Sequence, residues 1–104
     1  MSFTGNEEHS ISLGEASSLT QNFRNAAGDN APKGGFFGKA AIQAILDQEG
    51  CVGIRFYYGQ EEDGTPTLIL VGADEEENDL VEGNIDQRPV PCPPRCGEAN
   101  DLNS

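Results

Sequence analysis

Two cysteines near the C-terminus, Cys92 and Cys96, are the residues whose types and spacing most directly suggest chemistry. Their spacing in the run CPPRCG is one residue longer than that of a zinc knuckle, in which two thiolates from one tight turn hold one side of a tetrahedral ion. A zinc site needs further ligands, and the sequence offers only Cys51 and the single His9. Zinc held by Cys51, Cys92 and Cys96 is therefore one hypothesis, and the sequence indicates no other cofactor.

Three other interpretations of these cysteines stay open. A thiol pair with this spacing is one residue too long for the thioredoxin-like C-x-x-C motif. A disulfide from Cys51 to Cys92 or Cys96 would tie the C-terminal segment to the centre of the chain. Pro93 and Pro94 favour an extended backbone that keeps the sulfur atoms apart unless the chain turns at Arg95. The remaining interpretation is a proline-stiffened segment whose thiols pack on apolar surface.

Other residue types give little indication of catalysis. His9 is the only histidine, so no general base is evident beside a nucleophile. Arg55 and Tyr57 share one face of a predicted strand, where they could line a small polar site. An arginine there pairs equally well with one of the many acids. Because acid, base and oxyanion donors cannot be assembled, we expect no catalytic residues and favour a protein that is not an enzyme.

The acidic segment DEEENDLVEG, residues 74–83, has oxygen ligands at alternating positions. A calcium loop of the EF-hand type needs glycine at its sixth position and a bidentate acid at its twelfth. Those positions hold Asp79 and Ile85. We therefore interpret the segment as a solvated acidic loop that follows a strand.

The charge balance excludes whole classes of partner. The chain has 104 residues, 18 acids, 6 bases and a net charge of −12. Such a surface repels phosphate backbones and anionic lipid headgroups, so we expect no nucleic-acid partner and no membrane partner. The same charge keeps a protein soluble and can steer a basic protein partner.

The N-terminus has no basic region and no apolar run, so it does not resemble a signal peptide. We expect a cytoplasmic protein, whose thiols would usually be reduced.

The chemistry-bearing residues must be positioned by elements that the residue pattern predicts. Ser12 and Glu15 form a capping box before an apolar stripe that predicts a helix over 13–27, ended by Gly28. Asn30, Pro32 and Gly34 predict a loop. A second helix is predicted over 36–48, with Gly38 as a weak position and Gly50 as its end.

After the second predicted helix, the period changes from helical to alternating. Residues 51–58 alternate apolar and polar and predict a strand, and 67–73 predict a second strand with apolar residues on both faces. We expect these two strands to form an antiparallel hairpin, with a short third strand near 81–85. The predicted fold class is α+β, with both N-terminal helices packed on one face of a small antiparallel sheet.

We expect one domain over residues 1–104. In this prediction, residues 1–10 are a flexible leader, 11–83 the folded core, and 84–104 an irregular proline-rich tail that is extended or partly disordered. Because the predicted strand over 67–73 is apolar on both faces, other parts of the protein must pack on each face. We expect a second copy of the chain to pack on one of the two faces, which predicts a homo-oligomer.

The run GCVGIRFYYG, followed by TLILVGAD, NDL and CPPRCG, resembles a group of small uncharacterised bacterial proteins that share this ending. The resemblance covers about residues 11–97 and implies no activity and no functional residues. From the residues alone, we favour a small acidic protein-interaction module that self-associates through its sheet. The alternative is a metal- or thiol-dependent protein that uses the C-terminal cysteines.

Overall fold

The computed structural model describes residues 2–28 and 31–103. Its elements, in chain order, are α1 (Leu13–Ala27), β1 (Gly34–Phe36), α2 (Lys39–Leu46), β2 (Cys51–Gln60), β3 (Pro66–Asp74), β4 (Ile85–Asp86) and β5 (Val90–Cys92). The strand pairs between these elements are antiparallel. These elements confirm the predicted α+β class, with helices that precede the main sheet. No helix within the described residues is both long and apolar enough to cross a bilayer.

The chain divides into two compact units, which we describe separately. The sheet unit comprises Met1–Glu7 and Phe37–Pro89, and the disulfide unit comprises Glu8–Phe36 and Val90–Ser104. The single domain, the flexible leader over 1–10 and the folded core over 11–83 stay predictions.

The sheet unit is built on the hairpin that the sequence predicts. Strands β2 and β3 pair antiparallel from Cys51 opposite Asp74 to Gln60 opposite Pro66, with a register shift between Cys51 and Gly53. Both strands are longer than predicted. Strand β4 adds to the other side of β3, which gives the order β2-β3-β4. The predicted third strand is therefore present, although it is short and begins only at Ile85.

The buried apolar side chains of the described residues all belong to the sheet unit. They are Ile45, Leu70, Val71 and Ala73. Helix α2 contacts β2 and β3 and contributes Ile45, whereas the central strand β3 contributes the other three. Full burial of an Ile, Leu or Val side chain stabilises a fold by about 1.5–3 kcal/mol, so this cluster dominates the packing of the unit.

Helix α2 is shorter than the predicted 36–48. It begins at Lys39, and Gly38 is its N-cap in an extended conformation, so Gly38 does not lie inside the helix. Phe36 belongs instead to β1. Phe37 lies between β1 and α2, outside both elements.

In the disulfide unit, the predicted first helix is confirmed over its full length. The Ser12 side chain accepts a hydrogen bond from the Glu15 amide (3.0 Å), which satisfies one of the unpaired N–H groups of the first turn. At the other end, Gly28 has a φ of 91°, a positive value that glycine adopts without strain. Of the predicted loop residues, Asn30 lies outside the described part of the chain.

The disulfide unit contains a two-stranded sheet, β1-β5, that was not predicted. Strand β1 pairs antiparallel with β5, with Gly34 opposite Cys92 and Phe36 opposite Val90. Two of the three residues of β1 are glycine, which has low strand propensity. The predicted irregular tail 84–104 thus contains two short strands, β4 and β5, between its prolines and turns.

Candidate functional site

The structure brings together the two residues that the sequence analysis considered first. Cys92 and Cys96 form a disulfide, with their Cα atoms 4.8 Å apart. The peptide bonds Cys92–Pro93 and Pro93–Pro94 are both cis, and the Arg95 amide donates to the Pro91 carbonyl (3.0 Å). The segment does not keep the extended backbone that the prolines favour; it turns back on itself between the cysteines, which is the case in which the sequence analysis allowed the two sulfur atoms to meet.

Polar contacts surround the disulfide. The Lys33 amide donates to the Cys92 carbonyl (2.6 Å), which joins the segment before β1 to the end of β5. The Asn103 side-chain amide donates to the Cys96 carbonyl (3.0 Å). The Lys33 ammonium in turn donates to the Asn103 carbonyl (2.7 Å). The backbone carbonyls of both cysteines thus accept hydrogen bonds, that of Cys92 from a residue distant in the sequence and that of Cys96 from a residue seven positions later.

Cys51 is not bonded to either of these cysteines. It belongs to the sheet unit, carries no disulfide, and donates from its thiol to the Gly53 carbonyl (3.2 Å). The predicted disulfide from Cys51 to the C-terminal pair is therefore wrong. Within residues 2–28 and 31–103, no three His, Cys, Asp or Glu side chains are grouped closely enough to hold a metal ion. Because zinc binds thiolates, the zinc prediction for Cys51, Cys92 and Cys96 concerns only a reduced form of the pair.

A polar cluster on the sheet unit gives Arg55 and Tyr57 a common partner. The Arg55 guanidinium donates to Asp79 Oδ1 (2.6 Å) and to the Glu77 carbonyl (3.1 Å). The Tyr57 hydroxyl donates to Asp79 Oδ2 (2.5 Å). The guanidinium also lies 5.3 Å from the ring centre of Phe3, a cation–π distance. Each Asp79 oxygen therefore accepts a hydrogen bond from one residue of β2.

These contacts shift the acid–base behaviour of all three groups. Hydrogen bonds from Tyr57 and then from Arg55 hold the pKa of the Asp79 carboxyl below its usual value, since both donors favour the ionised form. The hydrogen bond to Asp79 raises the pKa of the Tyr57 hydroxyl and that of Arg55. The alternative that Arg55 pairs with an acid is thus confirmed. Since Arg55 and Tyr57 of β2 both donate to Asp79, and Arg55 also to the Glu77 carbonyl, the evident role of the cluster is to fix the loop after β3 against β2.

The acidic segment 74–83 is a loop held by its own backbone. Asp74 Oδ1 accepts hydrogen bonds from the amides of Glu76 (3.0 Å) and Asn78 (2.9 Å). The Leu80 amide donates to the Gly72 carbonyl (2.8 Å), which returns the loop to β3. This geometry agrees with the interpretation of the segment as an acidic loop after a strand.

The doubly apolar strand is covered differently along its length. The register places Leu70 with Phe56 on one face of the sheet, and Val71 with Arg55 on the other. Leu70 and Val71 are both buried within one chain. The expectation that a single chain cannot cover both faces of 67–73 is therefore wrong for residues 70–73. Residues 67–69 are only half-buried, so the incomplete covering lies at the other end of the strand.

The same end of the sheet carries an exposed group of aromatic side chains, which we call the aromatic edge: Phe56, Tyr57 and Tyr58 of β2. Their exposed fractions are 52%, 46% and 85%. Phe56 and Tyr58 share one face, with ring centres 5.5 Å apart in an edge-to-face arrangement. In the part of the chain that the structure describes, β2 has a neighbouring strand only on the side of β3. Along β2, residues 51–55 are half-buried and Gly5 lies close to the Val52 carbonyl, whereas residues 56–58 are exposed.

Sequence reasoning predicted β2 and its alternating faces, but it did not identify the aromatic edge as a surface. The signal was the run Phe56-Tyr57-Tyr58, which places aromatic side chains on both faces of one strand. A strand that is buried on one face alternates apolar and polar residues, so it does not require three consecutive aromatic residues. Comparisons of the chain with protein-family models, with curated proteins and with solved structures found no match. The functional argument therefore depends on the geometry of this chain alone.

Proposed function

We propose that this protein is a small acidic protein-interaction module that self-associates through the free edge of β2. The observation that carries the proposal is the aromatic edge, an exposed aromatic run on a ten-residue strand that has a strand neighbour on one side only among the described residues. An exposed edge strand of this length is a template for pairing with another strand. We infer no catalytic activity for this surface.

The low charge of β2 favours a second copy of the same strand as the partner of its free edge over a strand that carries many charges. Between Cys51 and Gln60, Arg55 is the only charged residue, and its guanidinium already contacts Asp79. Two β2 strands related by a twofold axis would pair antiparallel and bring together segments whose one charged residue, Arg55, is already paired with Asp79, as in an isologous dimer. Phe56 and Tyr58 of each copy would lose exposed area, and burial of a large aromatic side chain contributes about 1.5–3 kcal/mol.

The net charge gives this association a distinctive salt dependence. Each copy carries a net charge of −12, so two copies repel one another at long range. Added salt screens this repulsion, since the Debye length falls from about 10 Å at 0.1 M to about 3 Å at 1 M. We therefore expect self-association to strengthen as salt is added. Binding of a basic protein partner to the acidic loop 74–83 would weaken instead, which separates the two kinds of partner.

Sedimentation equilibrium of the wild-type protein tests the proposal, with Tyr58→Lys as the disruptive variant and Val81→Lys as its control. Both variants add one positive charge at an exposed position, and Val81, 67% exposed, lies outside the strands. We expect wild type and Val81→Lys to dimerise with a dissociation constant of tens of micromolar, which corresponds to a free energy of association of about −6 to −7 kcal/mol. We expect Tyr58→Lys to remain monomeric with an unchanged circular dichroism spectrum. A monomeric wild type at all these concentrations, in low and high salt, would contradict self-association.

A second candidate function, a metal- or thiol-dependent protein, is supported by the pairing of Cys92 with Cys96. Thiol titration before and after reduction, with elemental analysis of the reduced protein, tests it. A thiol-dependent protein is expected to show one titrating thiol when oxidised, from Cys51, and three when reduced. Near-stoichiometric zinc in the reduced protein would support the metal form. Three titrating thiols under all conditions, with no metal, would contradict both forms.

A further inference from the structure

The disulfide unit lacks a buried core in the part of it that the structure describes. None of residues 8–28, 31–36 and 90–103 is buried, and α1 buries no side chain. A small unit without a core needs another source of stability, such as a disulfide. The Cys92–Cys96 bond is the covalent link that the structure shows in this unit.

Hydrogen bonds connect the two cysteines through Lys33 and Asn103. One chain of contacts runs from the Cys92 carbonyl to the Lys33 amide, from the Lys33 ammonium to the Asn103 carbonyl, and from the Asn103 side chain to the Cys96 carbonyl. The disulfide closes this chain of contacts into a ring. Because the bond restricts the separation of the two cysteine carbonyls, Lys33 can contact the Cys92 carbonyl while Asn103, its own partner, contacts the Cys96 carbonyl.

We infer that the Cys92–Cys96 pair is a thiol–disulfide switch whose reduction releases the pairing of β1 with β5 and the C-terminal turn around Asn103. The reductant is a dithiol. One of its thiolates attacks one cysteine sulfur, which breaks the Cys92–Cys96 bond, forms a mixed disulfide and releases the other cysteine as a thiolate that takes up a proton. The second thiolate of the dithiol then attacks the dithiol's own sulfur in the mixed disulfide and releases the remaining cysteine, which takes up the second proton. The dithiol leaves as its own disulfide, and two electrons and two protons convert the protein disulfide into two thiols. An oxidised dithiol or a disulfide of the same class reverses the step.

The switch is local to the disulfide unit. The four buried side chains belong to the sheet unit, so reduction removes no contact from that core. Cys51 carries no disulfide and takes no part in the exchange. In a compartment that keeps thiols reduced, the released state would be the resting state, and oxidation would order the unit. This inference rests on the thiol-dependent candidate and adds the structural consequence of the exchange.

Hydrogen–deuterium exchange of the full chain tests the inference, in the oxidised, the dithiol-reduced and the reoxidised states. On reduction we expect exchange over residues 34–36 and 90–103 to become about tenfold faster, and to recover on reoxidation. Exchange over 51–60 and 66–74 is expected to stay unchanged. The thiol count of the same samples, from one to three and back, reports the chemical step separately.

Two variants complete the test. The double variant Cys92→Ala with Cys96→Ala is expected to exchange like the reduced protein in every buffer, and Cys51→Ala to respond to reductant as the wild type does. If the thiol count changes and the exchange rates do not, the switch is contradicted and the thiol-dependent candidate stands. If the thiol count does not change, both fail. Equal acceleration in the sheet unit would contradict a switch confined to the disulfide unit.

Discussion

The two units of this protein solve the problem of stability in different ways. The sheet unit buries Ile45, Leu70, Val71 and Ala73 around a central strand, whereas the described residues of the disulfide unit bury none. In place of a core, the disulfide unit has a capped helix, a short two-stranded sheet and a disulfide. A five-residue loop closed by a disulfide is worth about 2 kcal/mol in the chain-entropy model, similar to the burial of one aliphatic side chain.

The difference predicts which substitutions each unit tolerates. Apolar truncations should act mainly in the sheet unit, and losses of caps or covalent links mainly in the disulfide unit. The chain provides separate optical probes, since both of its tyrosines, Tyr57 and Tyr58, lie on β2 and it has no tryptophan. Tyrosine fluorescence therefore reports the sheet unit, and helical circular dichroism is dominated by α1, which has 15 residues against 8 in α2.

The largest effect is expected for Ile45→Ala. Ile45 is fully buried on α2, and its truncation should lower the free energy of unfolding of the sheet unit by about 3 kcal/mol. Denaturant unfolding followed by tyrosine fluorescence measures this loss. The comparison is Leu13→Ala on α1, where the side chain is 59% exposed; helical circular dichroism follows its unfolding, and a change within about 0.5 kcal/mol is expected. Equal losses for the two variants would contradict the contrast between the units.

A somewhat smaller effect is expected where a methyl group is added to the core. A Cβ atom at Gly72 on β3 would lie 2.9 Å from the Gln48 side-chain nitrogen and 3.0 Å from the Cys51 sulfur. Gly72→Ala should therefore lower the stability of the sheet unit by about 2 kcal/mol. The control is Gly53→Ala on β2, where nothing lies within 4 Å of the added atom. A neutral Gly72→Ala would show that this core is loosely packed.

In the disulfide unit, the helix cap should matter more than any apolar truncation. Ser12→Ala removes the acceptor for the Glu15 amide and is expected to cost about 1 kcal/mol of α1 stability. Helical circular dichroism during thermal unfolding measures it. Ser18→Ala, which removes a hydroxyl that donates only to the Gly14 carbonyl four residues earlier, serves as control and should be neutral or slightly stabilising. A cap effect no larger than the control would indicate that α1 depends on other contacts.

The smallest effect is a pH dependence of the cluster formed by Arg55, Tyr57 and Asp79. Because the folded pKa of Asp79 is lowered, its contribution is present above the usual pKa and is lost as the pH falls below about 4. Because the folded pKa of Tyr57 is raised, its contribution is present at neutral pH and is lost as the pH rises above about 10. Asp79→Asn should flatten the acid part of the stability profile. An unaltered acid part would show that other carboxylates cause it.

Prediction from the sequence succeeded where the signal was local. The capping box at Ser12 fixed the start of α1, and the alternation from Cys51 to Tyr58 predicted β2, because both patterns depend on neighbouring residues. Pairing of β1 with β5 joins segments far apart in the chain, and neither segment has a strand pattern of its own. Ten acids lie between Arg55 and Arg88, and only the return of the loop to β3 selects Asp79 among them as the partner of Arg55.

The candidate surfaces show the same limit. The sequence pointed to Cys92 and Cys96, but proline composition gave the wrong local geometry because it does not indicate where the chain turns. The doubly apolar strand suggested self-association for a reason that residues 70–73 do not support, since one chain buries them. The exposed aromatic edge of β2 supports the same proposal on a different part of the sheet.

The most direct test of self-association through β2 is hydrogen–deuterium exchange of the wild-type protein at about 5 μM and about 500 μM, which bracket a weak dimer. Pairing of two β2 edges would protect alternate amides over residues 51–60, so we predict slower exchange there at the higher concentration. Exchange over 66–74 should not change, since β3 pairs with β2 along its length and lies between β2 and β4 in the sheet. Identical exchange over 51–60 at the two concentrations would contradict the account.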